Sequence, residues 1–346
     1  MGLRGAFSSG VGEAVVRRKS RDVADETAAP TAASGIADAV GVWQGESVAL
    51  LQRRRQRQVE RNPLRSWGEL EVWQQEDNHL IETGYRSATG SLSACISSLT
   101  YIHNETVNIY SHIIGSAIFI AIPVYLFKNE IPPRYAVATW ADVVVCLTYF
   151  VGVAICFCLS AIYHTVMCHS RSIDLFGAQL DFQGVILLMW SATIPLVFYG
   201  FHCDSTLRNA YWTMLSILAA ICSLSTFHSR FQEPFLRPVR AATFGSLGIL
   251  TMVPVFHGIY RNGWHTQNQQ MGITWVLITL VLNVLGATAY AVKVPERWYR
   301  RTFDIFGASH QVFHVMVVLA ALTYTKGILQ AFDFVHSHDY LPCSTR

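Results

Sequence analysis

The fold class this sequence predicts is an all-α membrane protein, a bundle of seven transmembrane helices with its N-terminus cytoplasmic and its C-terminus outside. Three observations predict it. The 346 residues are 51% hydrophobic and only 14% charged, whereas about a quarter of residues are charged in an ordinary soluble domain. Seven uncharged apolar stretches cover residues 109–127, 143–163, 182–201, 209–227, 241–260, 272–292 and 305–325, each close to the roughly 20 residues that cross a bilayer at helical rise. Lysine and arginine, finally, gather in alternate connections between those stretches.

In chain order, residues 1–65 are polar and basic and end in the run Gln52-Arg53-Arg54-Arg55-Gln56-Arg57. They hold too little apolar surface to offset the entropy of ordering, so a disordered cytoplasmic tail is expected. The opening forty residues contain no apolar core of a signal peptide. Residues 66–108 form a juxtamembrane segment, in which Trp67, Leu70 and Trp73 recur at helical spacing and predict a short interfacial helix over 66–75. Residues 109–332 hold the seven spans, and 333–346 a short extracytoplasmic tail. Pro123, Pro195 and Pro254 fall inside three of the stretches, where membrane helices accommodate kinks. The eight cysteines lack framework spacing and read as small buried hydrophobes.

Orientation follows from the short connections. With the N-terminus inside, the inner connections hold Arg171, then Arg230, Arg237 and Arg240, then Lys293, Arg297, Arg300 and Arg301, besides twelve lysines and arginines ahead of the first span. The outer connections hold only Lys128, Arg134, Arg208 and Arg261. This bias defines the cytoplasmic side. The Asn104-Glu105-Thr106 sequon then faces the cytoplasm and is expected to remain unglycosylated.

Ionisable groups inside membrane segments are expensive, and each is a candidate functional residue. Under this orientation Ser160 and His164 lie at the cytoplasmic end of the second span, Asp181 at the cytoplasmic start of the third, and His310 and His314 in the first turns of the seventh. Four residues separate His310 from His314, which puts both imidazoles on one helix face. With His164 they make a three-histidine set suited to zinc, which accepts imidazole and keeps a fourth position for water. Asp181 could hydrogen-bond that water or serve as its general base, and Ser160 could add a hydrogen bond or stabilise an oxyanion. Two plainer readings stand beside this one: interfacial histidines with Asp181 as a helix N-cap, and a zinc that only staples two helices together. His103, His112, His202, His228, His257 and His265 lie near span ends or within single helices and read as hydrogen-bonded interfacial imidazoles.

The run Tyr101-Ile102-His103-Asn104-Glu105-Thr106-Val107-Asn108-Ile109-Tyr110-Ser111-His112, the Ser160-Ala161-Ile162-Tyr163-His164 turn, Asp181, the Pro295-Glu296-Arg297 loop and Ser309-His310-Gln311-Val312-Phe313-His314 together resemble the adiponectin-receptor and progestin-receptor (PAQR) family, which is related to the haemolysin III proteins. The resemblance runs from about Asn78 to Phe332 and is nearest to the fungal branch. It implies seven spans with an inside N-terminus, opposite to G-protein-coupled receptors. It also implies zinc held by His164, His310 and His314, with Asp181 contacting the metal's water, and an association with ceramidase-type hydrolysis and with receptor signalling in lipid, sterol and metal homeostasis. Some relatives carry His or Gln where this chain has Ala308, a position that is not a ligand.

Two functions follow as expectations. One is zinc-dependent hydrolysis of a lipid amide, with a ceramide-like or sterol-related membrane lipid entering the bundle from the side. The alternative is a receptor for an extracellular protein or small molecule in which zinc is purely structural. A zinc transporter fits less well, because the histidines form one closed cluster without a path of further sites. Nothing suggests a nucleic-acid partner. The expected location is the plasma membrane or an endomembrane.

Overall fold

The computed structural model describes residues 64–76, 78–129, 134–227, 234–337 and 343. The expected basic tail, apart from Leu64 and Arg65, and the last residues of the outer tail other than Cys343 lie outside the described residues. A two-residue strand β1 (Leu64–Arg65) pairs antiparallel with β2 (Tyr85–Arg86). Between them the expected interfacial helix is replaced by two 3-10 turns, Trp67–Glu69 and Val72–Glu76. The cause is local: Ser66 donates from its backbone N and its Oγ to Glu69 Oε2, both at 2.8 Å, which closes a tight turn that the extended Leu70 then ends.

The helices that follow are α1 (Leu92–Ser97), α2 (Thr106–Val124), α3 (Trp140–Val166), α4 (Arg171–Gly200), α5 (Ser205–Thr226), α6 (Arg237–Leu250), α7 (Val253–Asn262), α8 (Trp264–Met271), α9 (Ile273–Val292) and α10 (Ser309–Val335). Among the described residues, six helical segments are long and apolar enough to cross a membrane: Thr106–Lys128, Trp140–Val166, Arg171–Gly200, Pro238–Asn262, Ile273–Val292 and Ser309–Val335. The remaining predicted stretch is α5, whose 22 residues begin with polar turns around Arg208 and Asn209.

Three boundaries differ from the sequence expectation. The stretch over 241–260 is not one helix: it breaks at Thr251 and Met252, and Pro254 sits in the first turn of α7, where a missing N–H costs nothing. Helix α10 starts at Ser309, after Gly307 at φ 83°, and continues ten residues past 325. Helix α4 begins at Arg171, eleven residues before its apolar stretch. Asp181 therefore lies in its third turn, and neither the span-start placement nor the N-cap reading holds.

The core is built from aromatic side chains of α2, α3, α4 and α10, including the fully buried Phe119, Tyr149, Phe150, Phe157, Tyr199 and Phe332. Tyr149 Oη donates to the Ala321 carbonyl at 2.7 Å and Tyr324 Oη to the Ala192 carbonyl at 2.6 Å. These bonds satisfy backbone acceptors and tie α3 and α4 to α10. Gly272, at φ 61°, opens α9 against the backbone of Gly327 in α10. Such contacts let membrane helices approach closely.

Buried carboxylates fix the start of α10. Glu296 accepts from Ser309 N at 2.8 Å, Ser309 Oγ at 2.5 Å and Asn78 Nδ2 at 2.9 Å, placing negative charge at a helix N-terminus. Asp304 accepts from the backbone N and Oγ1 of Thr83, both at 2.8 Å. The cysteines do not all conform to the buried-hydrophobe reading. Cys203, in the turn after α4, is disulfide-bonded to Cys343, whereas Cys95 and Cys168 are free thiols at the opposite end of the bundle.

Candidate metal centre

The last turn of α3 carries His164 and the first two turns of α10 carry His310 and His314. Each offers one ring nitrogen, and these three atoms all lie within 4.8 Å of one another. Ring centroids are 5.1 Å apart for His164 and His310, 4.7 Å for His164 and His314, and 4.8 Å for His310 and His314. His164 and His314 are nearly inaccessible. His164 Nε2 and His314 Nδ1 are buried without a hydrogen-bond partner, a cost that a cation removes. The donor set fits a metal ion that favours imidazole, and the group could hold one.

One carboxylate that sequence reasoning passed over orients the centre. Glu105, the residue before α2, has Oε2 2.8 Å from His164 Nδ1. The carboxylate accepts the Nδ1 proton and leaves the Nε2 lone pair toward the other two imidazoles. Asn108 Nδ2 donates to the same oxygen at 2.6 Å. Burial pushes the Glu105 carboxyl up, but the His164 hydrogen bond and charge outweigh it and hold the group below the usual carboxylate range. The Glu105 backbone N donates to His103 Nδ1 at 3.1 Å, and burial pushes the His103 imidazole down to about 4. A signal for Glu105 existed in its position, an acidic residue heading an apolar span at the depth of the histidines. Glu105→Ala is expected to weaken metal binding about 10- to 100-fold and Glu105→Gln, which can still accept a hydrogen bond, by less; competition against a chelator of known affinity measures both.

Gln311, between the two α10 histidines, donates from Nε2 to the carbonyls of Asn104 and Ile305, both at 2.8 Å, and accepts from Gly307 N at 2.6 Å. The segment carrying Glu105 is thereby keyed to the helix carrying the other two imidazoles. Arg86, 4% exposed, closes the other side. Its guanidinium donates to the carbonyls of His164 at 2.5 Å and Thr165 at 2.9 Å and to Ser98 Oγ at 2.9 Å. A cation is thus placed at the C-terminal end of α3.

The other predicted residues also converge here. Ser160 is buried one turn before His164, near Asp181, whose carboxylate charge acts on both His164 and His310. His112 departs from the interfacial reading. It is buried, stacks on His314 with centroids 4.0 Å apart, and has both ring nitrogens unpartnered. His103 is likewise buried. A cavity of about 240 Å³ reaches the centre, lined by Glu105, Tyr163, Phe182, Tyr290 and His310 among others.

The haemolysin-III-related family matches residues 100–325. The adiponectin receptor protein of Drosophila melanogaster is 34% identical over 259 residues, 75% of this chain and 57% of that protein. The ADIPOR-like receptor IZH2 of Saccharomyces cerevisiae is 34% identical over 273 residues, 79% of this chain and 85% of the relative. Heptahelical transmembrane protein 3 of Arabidopsis thaliana is 29% identical over 293 residues, 75% and 85% of the two chains. The chain spans little more than half of the fly receptor but most of the yeast and plant relatives. With its apolar helices and its buried histidine cluster, the chain is an integral membrane protein and belongs to the haemolysin-III-related (PAQR) family of adiponectin-receptor-like proteins.

Proposed function

We propose that the histidine centre holds Zn²⁺ and that the protein hydrolyses a lipid amide of the ceramide type, as an adiponectin-receptor-like protein of lipid, sterol and metal homeostasis. The observation that carries the reading is that His164 and His314, which cluster with His310, each bury an orphaned ring nitrogen, with the Asp181 carboxylate beside them. Zinc bound by imidazoles supplies Lewis acidity, which polarises a carbonyl and lowers the pKa of water to about 7.

The chain's own groups do the rest. Asp181 accepts the proton of the attacking water and returns it to the departing amine. Ser160 holds the Asp181 carboxylate in place and offers a hydroxyl to developing negative charge. Glu105 keeps His164 in one tautomer. The aromatic lining of the cavity suits an acyl chain, with the amide at the histidine end. For orientation we adopt a cytoplasmic N-terminus and an outside C-terminus, supported by the lysine and arginine bias and by the position of the Cys203–Cys343 disulfide at the end that would be outside, since disulfides persist in oxidising compartments.

The test uses purified, folded protein. Zinc is measured per chain, and fatty-acid release from ceramide is followed for the parent and for Asp181→Ala. The expected result is retained zinc with release reduced about 10²- to 10⁴-fold. Equal release from both removes Asp181 from the chemistry. Absence of release from zinc-loaded parent protein favours a receptor whose zinc only braces α3 against α10, with an extracellular ligand as partner.

A further inference from the structure

Two thiols stand at the end of the bundle that carries the metal centre, outside its ligand set. Cys95 in α1 and Cys168, two residues beyond α3, are both buried with their sulfurs 3.5 Å apart. The segments that bear them are held in register by backbone bonds from Thr89 N to the Cys168 carbonyl at 3.1 Å and from Gly90 N to the His169 carbonyl at 2.9 Å. Closing the 3.5 Å gap to the roughly 2.05 Å of a disulfide brings the two sulfurs about 1.5 Å closer. Two packed cysteines serving merely as apolar filler require neither this approach nor a route for reagents. Cys168 borders the cavity described above, so a small oxidant approaches the pair on its Cys168 side.

We propose that Cys95 and Cys168 are an oxidisable dithiol, converted by hydrogen peroxide to a disulfide that locks α1 to the end of α3. The Cys168 thiol donates to the Cys95 sulfur and pushes the Cys95 pKa down to about 6, with nearby Arg86 contributing its charge. That favours thiolate, the nucleophilic form. The Cys95 sulfur attacks one peroxide oxygen, the O–O bond breaks, and sulfenic acid and the first water form. The Cys168 sulfur then attacks the sulfenic sulfur, the S–O bond breaks, and the second water leaves with the Cys168 proton. In sum, two thiols and one peroxide yield one disulfide and two waters.

The location gives the modification a consequence. Cys168 lies four residues after His164. Ser98, which receives the Arg86 guanidinium, donates its Oγ proton to the Cys95 carbonyl at 2.7 Å. Arg86 in turn holds the His164 carbonyl. A covalent tie between the thiols closes this frame around the last turn of α3 and retards departure of a metal held by His164. This second claim rests on the zinc reading; the cross-link itself does not.

The test treats the zinc-loaded, full-length protein with hydrogen peroxide, alkylates it in detergent under unfolding conditions, and maps cysteines by mass spectrometry. A linked pair of peptides containing Cys95 and Cys168, cleaved by dithiothreitol, is expected from the parent and is missing from Cys95→Ser and Cys168→Ser. Full alkylation of both thiols after excess peroxide, or oxidation of each separately without a link, overturns the dithiol. Zinc loss to a chelator is expected to slow about fivefold on oxidation of the parent and to be unchanged by peroxide in Cys95→Ser. An equal rate in oxidised and reduced parent overturns the effect on the metal. A cross-link formed in protein that binds no zinc leaves the dithiol standing and removes the zinc reading instead.

Discussion

Replacing His164, His310 or His314 with alanine is expected to take the protein from about one zinc per chain to nearly none, because a site with three protein ligands loses a third of its donors at once. The loss has a thermodynamic echo. A metal held at a thousandfold excess over its dissociation constant stabilises the folded state by about 4 kcal/mol, so the variants lose that increment and added zinc fails to restore it. The thermal midpoint of each variant is expected to coincide with that of the chelator-treated parent. His112→Ala supplies the contrast. Its ring stacks on His314 and is itself buried, yet it lies outside the three-nitrogen cluster, so zinc content is expected to persist. Elemental analysis of the four purified variants decides the matter, and full zinc in any of the three ligand variants would falsify the assignment.

The second large effect concerns packing rather than chemistry. A Cβ placed on Gly272 would stand 2.5 Å from Gly327 Cα and 2.7 Å from the Gly327 carbonyl oxygen, and both neighbours are backbone, with no rotamer to yield. The residue also sits at φ 61°, in the left-handed region that disfavours a side chain by about 1 kcal/mol or more. Gly272→Val must therefore push α9 away from α10, at a cost on the order of 3 kcal/mol beyond the local strain. The expected outcome is a collapse in the yield of monodisperse protein on size exclusion. Gly245→Ala, in α6 with nothing within 4 Å of the added atom, is the matched control and is expected to behave as the parent. Parental thermal stability in Gly272→Val would show that the two helices do not meet as described.

What could be read in the sequence divides along a physical line. Apolar runs report transfer into lipid, so the bundle was visible, as was the layer in which His164, His310 and His314 meet. Helix ends are set instead by capping and loop contacts, which hydropathy does not sense. The mixed polar and apolar segment Arg171 to Leu180 extends α4 well below its apolar stretch, and Asp181 moved from an end to the interior. Likewise α6 and α7 are separated by a turn within one uninterrupted apolar run. Long-range partners carried no periodic signal: Glu105 meets His164 across 59 positions and Cys203 meets Cys343 across 140. Arg86 counted in the sequence only as one more positive charge ahead of the first span, whereas in the fold it is buried against the end of α3.

Gln311 has an implication for anyone wishing to copy this centre into another scaffold. Its amide sits between two donors on one helical face and grips the chain on both sides, at Asn104, Ile305 and Gly307. Transplanting the three imidazoles alone would carry over the donors and leave behind the truss that sets their spacing. A workable transplant would need the glutamine, the acidic residue it secures at one remove, and the short stretch of main chain joining them, moved as a single unit.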